Sequence, residues 1–197
     1  MPTYLKSCQS EFWKQVFEKE LEYILKELEG CKDVLSVGCG PAIIERGLQE
    51  HGFNVIGLDV SKEALEGSPD SIRTVIGSAE QIKLPDSSYD AVLYIASLQF
   101  IEHYQKAIEE TARVLRPNGK FLAMLLNPES EFFKEKTKNP DSYMNKIKHK
   151  DLAEIKKTIA DYFSVQTEYY LGIKGKELFE SRDPNFASLY IVKGSKK

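Results

Sequence analysis

The chain has 197 residues, a formal net charge of −3 and a hydrophobic content of 42%, which is the composition of an ordinary globular protein of one domain. The negative charge argues against nucleic acid as a partner, and no apolar stretch reaches the roughly 18 residues of a membrane-spanning helix. The three cysteines form no CxxC pair, so we expect neither a disulfide framework nor a bound metal. The beginning of the chain lacks the basic end and apolar core of a secretory signal, which predicts a cytoplasmic protein.

The first predicted element is a helix. Apolar residues recur with a helical period over residues 9–29, and Gly30 ends the pattern. We expect this N-terminal part, residues 1–30, to lie over the domain as an additional helix. Its aromatic residues, Phe12 and Trp13 among them, belong either to the core or to a lid over a ligand.

Residues 33–59 have the order of a βαβ unit that holds a nucleoside-containing ligand. A strand leads into a turn with Gly38 and Gly40, an amphipathic helix follows, and a second strand ends on Asp59. The acid lies 19 residues after the second glycine, close to the roughly 20 at which a carboxylate reaches ribose hydroxyls. Ile43 occupies the position of the third glycine of the dinucleotide pattern, so the turn disfavours an NAD-binding protein.

Strands and helices alternate from residue 72 to residue 127, which predicts a parallel α/β sheet. The lysine-rich residues 128–149 interrupt this rhythm and are expected to form a short lid-like insertion. A helix and two strands complete the chain, and the last two strands should be antiparallel because no crossover helix joins them. We therefore expect one α/β domain over residues 1–197, with a Rossmann-like, doubly wound sheet of seven strands, mostly parallel with an antiparallel last strand.

Four segments of the chain resemble the class I S-adenosylmethionine-dependent methyltransferases, especially the small-molecule branch that includes the ubiquinone and menaquinone methyltransferases. They occur in the order that the family has, between about residues 31 and 127. The four segments read VLSVGCGPA, VIGLDVS, GSAEQIKLPDSSYDAV and EETARVLRPNGKFLAMLLN. The resemblance implies S-adenosylmethionine as the cofactor and methyl transfer as the reaction.

The resemblance also implies a role for each matching segment. The first segment would meet the methionine portion of the cofactor, the second the ribose and the third the adenine, while the end of the fourth strand would face the methionine end. Without a cofactor, Asp59 would be an exposed strand end and Glu80 a helix cap. The expected cofactor-binding residues are Ser36, Gly38, Cys39, Gly40, Asp59, Val60, Ser78, Ala79, Glu80, Ile95 and Ala96.

Three positions depart from the family pattern. Ser36 stands where the family usually has an acid that holds the ammonium group of the cofactor. Ser78 stands where it often has an aspartate for the adenine amino group, and Ala42 replaces a glycine, which is a mild change. Each exchange of an acid for serine would weaken cofactor binding by about 1 kcal/mol. The departures leave open a protein that binds the cofactor and transfers nothing.

Methyl transfer by in-line displacement requires that two reactants are oriented and that water is excluded, with a base only where the acceptor must lose a proton. The weak candidates for such a base are His103 and His149, each with an ordinary surface position as the alternative. The stretch from residue 134 to residue 157 carries eight lysines against four acids, either as a solvated surface or as a basic rim. We expect a small-molecule acceptor, an anionic one if the rim is functional; methylation of RNA or protein through this surface is the alternative.

Overall fold

The computed structural model describes residues 10–197, so residues 1–9 of the expected N-terminal segment lie outside the described part. The helices are α1 (Glu11–Glu27), α2 (Ile43–Glu50), α3 (Lys62–Leu65), α4 (Tyr104–Val114), α5 (Glu131–Lys136) and α6 (Leu152–Tyr162). The strands are β1 (Asp33–Val37), β2 (Asn54–Asp59), β3 (Arg73–Ile76), β4 (Tyr89–Ile95), β5 (Leu115–Leu126), β6 (Phe163–Lys174), β7 (Glu177–Phe179) and β8 (Ala187–Lys196). None of the helices among residues 10–197 is long and apolar enough to cross a membrane.

All eight strands form one sheet in the order β3-β2-β1-β4-β5-β8-β6-β7. The pairs from β3 to β5 are parallel, whereas β8 runs antiparallel to both β5 and β6. The predicted Rossmann-like fold, mostly parallel with an antiparallel end, is therefore confirmed. The strand order reverses between β1 and β4, and in sheets of this type a crevice for ligands opens there at the carboxyl ends of the strands.

The predicted number of seven strands is wrong by one. The additional strand is β7, which has only three residues and lies between the two strands that were predicted to complete the chain. It forms a hairpin with the end of β6, in which Lys174 pairs with Glu177 and Gly175 has a φ angle of +60°. Three residues are too few for the alternating pattern by which a strand is recognised in a sequence.

Two hydrophobic layers cover the sheet, as the alternation of side chains along β1 requires. Leu35 belongs to the layer that includes residues of α4 and α6, and Val34 belongs to the layer that includes residues of α1 and α2. Within the second layer, the side chain of Leu21 occupies the space where Gly47 lacks a Cβ atom. Helix α1 therefore packs closely on α2, beside the carboxyl ends of the central strands.

Candidate functional site

The site begins where β1 ends, at Gly38, Cys39 and Gly40, which we name the glycine turn. The two glycines have φ angles of +75° and +52°, a left-handed conformation that glycine adopts without steric cost. A Cβ atom at Gly38 would also overlap the side chain of Ser97, whose hydroxyl donates a hydrogen bond of 2.6 Å to the carbonyl of Val37. Both the backbone and the packing against the loop after β4 therefore require glycine at position 38.

Asp59 connects the end of β2 to the glycine turn. Its Oδ2 accepts a hydrogen bond of 2.9 Å from the backbone N–H of Gly40, and its Oδ1 accepts one of 2.8 Å from that of Ser61. Each carboxylate oxygen has a second lone pair, so the half-buried side chain retains acceptor capacity for a pair of hydroxyl groups. Asp59 thus holds the turn in place and can still bind a ribose.

A buried carboxyl group lies beside Ser36, but it comes from Glu45 on α2. The two side chains are 1% and 2% exposed, and the Ser36 hydroxyl donates a short hydrogen bond to the carboxyl of Glu45. The pKa of Glu45 is raised to about 7, mainly by burial; the charge of Asp59 contributes to this shift and the hydrogen bond from Ser36 opposes it. An acid is therefore present near the position where Ser36 appeared to remove one.

The third segment forms a connected loop at the carboxyl end of β3. The hydroxyl of Ser78 accepts a hydrogen bond of 3.1 Å from the N–H of Glu80, and Glu80 Oε1 accepts one of 3.0 Å from the N–H of His103. Ala79 is buried, whereas Val60 next to Asp59 is 75% exposed. Glu80 therefore has a positioning role towards the start of α4 in addition to the adenine contact expected from the sequence.

A cavity of about 600 Å³, which we name the central cavity, adjoins the glycine turn. Four of the predicted cofactor-binding residues line it, and the other seven do not. The four are Gly38, Cys39, Ile95 and Ala96. The structure thus brings the expected methionine side of the site to the cavity, while the residues expected to bind the nucleoside lie outside its wall.

One face of α1 contributes a wall of the cavity; the sequence indicated Trp13 as a possible lid residue but gave no role to Glu20. Trp13, Phe17 and Glu20 line the central cavity and follow the spacing of one helix face. Glu20 is only 5% exposed and has no hydrogen-bond or ion-pair partner among residues 10–197. Burial raises its pKa to about 8. The available signal was an acid within the apolar stripe of an amphipathic helix, a position that is normally occupied by an apolar residue.

The insertion over residues 128–149 contributes further residues to the wall of the cavity, including Lys136 and Tyr143. It is connected to the sheet through Gln99, which is fully buried after β4. The Gln99 amide exchanges hydrogen bonds of 2.7 and 3.1 Å with the backbone of Leu126 and donates one of 3.3 Å to the carbonyl of His149. A buried amide therefore fixes the end of the insertion against the end of β5.

The two histidine candidates do not line the central cavity. His103 is exposed and precedes the first residue of α4. His149 donates from Nε2 to the carbonyls of Ile101 and Glu102, at 2.9 and 3.1 Å, and its ring packs edge-on against Tyr104. Within residues 10–197 no group of three or more His, Cys, Asp or Glu side chains is arranged to hold a metal ion.

The sequence of this chain is similar to those of methyltransferases. The family described as a methyltransferase domain matches residues 35–123. An uncharacterised protein from Methanocaldococcus jannaschii is 30% identical over 129 residues, which cover 66% of this chain and 56% of that protein. A ubiquinone biosynthesis O-methyltransferase from Vibrio parahaemolyticus is 27% identical over 188 residues, which cover 80% of each protein. The chain thus spans little more than half the length of the first of these relatives.

Among solved structures, an S-adenosylmethionine-dependent methyltransferase from Thermotoga maritima, described as a possible histamine N-methyltransferase, superposes with a TM-score of 0.77. The match covers 92% of this chain and 89% of that protein at 19% identity, so it demonstrates a shared fold. The family match falls on β1 to β5, the strands whose carboxyl ends carry the glycine turn and Asp59. Residues 35–123 therefore match a methyltransferase domain, and the chain has the fold of an S-adenosylmethionine-dependent methyltransferase.

Proposed function

We propose that the protein transfers a methyl group from S-adenosylmethionine to a small-molecule acceptor. The observation that carries this proposal is the position of the central cavity, which opens at the glycine turn and is lined by Ile95 and Ala96 at the end of β4. A second reactant can therefore lie next to the end of the cofactor that holds the methyl group. Orientation of two reactants in one cavity is the main contribution that a protein makes to this reaction.

The residues around the glycine turn fit the methionine portion of the cofactor. The absence of a side chain at Gly38 leaves the turn close to the loop that carries Ser97. We propose that the buried carboxyl of Glu45, positioned by Ser36, binds the cofactor's ammonium group. An ammonium would place a positive charge beside the carboxyl and would return the pKa of Glu45 towards its usual range.

The nucleoside portion is assigned to the residues that follow β2 and β3. Asp59 would accept the ribose hydroxyls with the lone pairs that its backbone hydrogen bonds leave open, and Val60 would lie beside the ribose. Ser78, Ala79 and Glu80 would contact the adenine. This loop is preordered by its own hydrogen bonds, which reduces the conformational entropy lost when a ligand binds.

The walls of the cavity define what the acceptor meets. The insertion over residues 128–149 is proposed to act as a short lid, because its residues line the cavity together with those of α1. The anionic acceptor considered from the sequence is supported by Lys136 and Lys146 in this wall. Four carboxyl groups line the same cavity, so the balance of charge favours a neutral or cationic acceptor. These are Glu20, Glu45, Glu135 and Asp141.

S-adenosylmethionine, when bound, supplies a methyl group that is already activated by the positive charge on sulfur. The contribution of this chain is to hold the cofactor at the glycine turn, to orient the acceptor and to exclude water. A base is needed only where the acceptor loses a proton. His103 and His149 lie outside the cavity wall, so the buried carboxyl of Glu20 is better placed to interact with an acceptor.

Calorimetry tests the proposal directly. The wild-type protein is expected to bind both S-adenosylmethionine and S-adenosylhomocysteine, and Asp59→Ala should lower both affinities about tenfold or more. The exposed Asp70 provides a matched control, since Asp70→Ala makes the same chemical change at an exposed position nearby. Absence of binding at millimolar ligand would overturn the proposal, and so would an Asp59→Ala variant that binds as well as the wild type.

A second measurement separates an enzyme from a protein that only binds. Release of S-adenosylhomocysteine is followed while small nucleophiles are offered one at a time to the cofactor-loaded protein. Turnover with at least one small acceptor is expected. Turnover that appears only with RNA or protein would instead assign the lysine-rich surface as the acceptor site. If the acceptor is RNA, its binding to the protein should weaken steeply as the salt concentration rises.

A further inference from the structure

Glu20 is a buried acid with no partner in the described structure. It lies on α1, lines the central cavity and is 95% buried, since only 5% of its surface is exposed. Residues 10–197 supply neither a hydrogen bond nor a cation to its carboxyl group. Among the described residues no fully buried side-chain oxygen lacks a partner, so the Glu20 carboxyl retains its small exposure, and the cavity that it lines is where a ligand can supply the partner that the protein does not.

The surroundings of Glu20 specify the charge of that partner. Trp13 and Phe17 lie on the same face of α1 and also line the cavity. Their rings are stacked, with centroids 6.1 Å apart and an interplanar angle of 30°. Aromatic faces attract cations, most strongly where water is excluded, and a carboxylate adds a full opposite charge. This wall therefore has the chemistry that recognises an ammonium group.

The Glu20 wall is distinct from the group assigned to the cofactor. The pKa of Glu45 responds to the charge of Asp59 and to the hydrogen bond from Ser36, which places it beside the residues assigned to the cofactor. Burial alone raises the pKa of Glu20. The central cavity thus presents two separate carboxyl groups, and one cofactor ammonium can satisfy only one of them.

We propose that Glu20, with the rings of Trp13 and Phe17, binds the amino group of the acceptor, so that the acceptor class of this protein is a small amine. The inference rests on the proposed function, because the amine is taken to occupy the cavity beside the bound cofactor. It goes beyond that function in naming the substrate class and a specificity-determining residue. Lys136 and Lys146 of the insertion line the same cavity, but no lysine of residues 10–197 forms an ion pair with Glu20, and burial is the cause of its raised pKa.

Calorimetry on the full chain saturated with S-adenosylhomocysteine tests the inference with matched probes. The probes are 2-phenylethylamine and butylamine, the corresponding alcohols, and 3-phenylpropionate. Each amine is expected to bind about tenfold more tightly than its alcohol, and the carboxylate should bind most weakly. Glu20→Gln should abolish the preference for the amine. Glu18→Gln, an exposed acid two residues earlier on the same helix, should retain it.

The affinity for S-adenosylhomocysteine distinguishes the possible failures. If the wild-type protein does not bind this ligand, the proposed function fails. If it binds the ligand but amines bind no better than alcohols, or the carboxylate binds best, the amine inference is overturned. Phe17→Leu provides a second variant that keeps an apolar side chain; it should lower amine affinity several-fold and leave the alcohols unaffected. Retention of the amine preference in Glu20→Gln would also overturn the inference.

Discussion

The hydroxyl of Ser36 on β1 donates a hydrogen bond to the buried carboxyl of Glu45 on α2. Relatives of this class usually carry the acid on the strand itself, whereas here the strand provides the hydrogen-bond donor and the helix provides the acid. The exchange explains how a chain with serine at this position retains a negative group beside the glycine turn. A loss of charge in the sequence is therefore not a loss of charge in the site.

We expect Glu45→Gln to lower the affinity for S-adenosylmethionine about 10- to 100-fold, because hydrogen bonds to charged groups contribute roughly 1.5–3 kcal/mol. The glutamine amide oxygen can still accept the bond from Ser36, so the structure of the site should be retained. Isothermal titration calorimetry measures the change. Glu50→Gln on the same helix is the matched control, because Glu50 is exposed and pairs with Arg46.

A double variant tests the exchange of positions itself. Ser36→Asp combined with Glu45→Ala returns the carboxylate to the strand and should bind the cofactor more tightly than Glu45→Ala alone. If the double variant binds the cofactor no more tightly than Glu45→Ala, a carboxylate at position 36 of β1 does not reach the ligand. Wild-type affinity in Glu45→Gln would remove Glu45 from the site altogether.

Gly38 and Gly52 form a natural pair for measuring how tightly the glycine turn is packed. Both have positive φ angles, +75° and +87°, but only at Gly38 would a Cβ atom meet another side chain, that of Ser97. Gly52→Ala should therefore cost about 1 kcal/mol of backbone strain. Gly38→Ala should cost roughly 1–3 kcal/mol more, because the extra atom must displace packed neighbours.

Thermal unfolding measures this difference, since 1 kcal/mol corresponds to about 2–4 °C for a domain of this size. The Gly38→Ala variant should also lose affinity for S-adenosylhomocysteine, whereas Gly52→Ala should keep it. Adding Ser97→Gly to Gly38→Ala removes the overlapping atoms and should restore part of the stability. Equal melting temperatures for the two single variants would contradict the packing argument.

The fold and the two glycines could be predicted from the sequence because their signals are local. Strand and helix patterns alternate along the chain, and the distance from Gly40 to Asp59 is fixed by one helix and one strand. The structure confirms the sheet and brings Asp59 within 2.9 Å of the N–H of Gly40. Short-range spacing was sufficient for that part of the site.

The acidic wall of the cavity was not predictable in the same way. Glu20 and Glu45 each lie within an amphipathic helix, where an acid is ordinarily exposed to solvent. Their burial depends on the packing of α1 against α2 through Leu21 and Gly47, which are 26 positions apart in the sequence. The apolar pattern of one helix does not show which other helix it packs against. The two buried carboxyl groups of the cavity wall therefore became visible only in three dimensions.

The two buried acids also predict how stability depends on pH in the absence of ligand. Glutamate ionises near pH 4.5 when exposed, but burial raises the pKa of Glu20 to about 8 and that of Glu45 to about 7. Between these values the folded state holds a proton that the unfolded state has released, so each acid reduces the free energy of unfolding as the pH rises. Glu20→Gln carries no such proton and should match the wild type near pH 4.5.

The stability gained by Glu20→Gln relative to the wild type should increase from pH 5 and level off near pH 8. For Glu45→Gln the gain should level off about one pH unit lower, near pH 7, with a slope limited to about 1.4 kcal/mol per pH unit. Urea unfolding of ligand-free protein at several pH values measures both curves, and Glu18→Gln, at an exposed position, should give a flat one. If the free energy of unfolding of a variant changes with pH in the same way as that of the wild type, the substituted acid has no raised pKa. It is then already ionised at neutral pH, which requires a cation beside it. The two variants are expected to level off at different pH values, so each pH-dependent change in stability can be assigned to one carboxyl group. The other acids with shifted pKa values are the same in all the proteins compared and do not contribute to the difference.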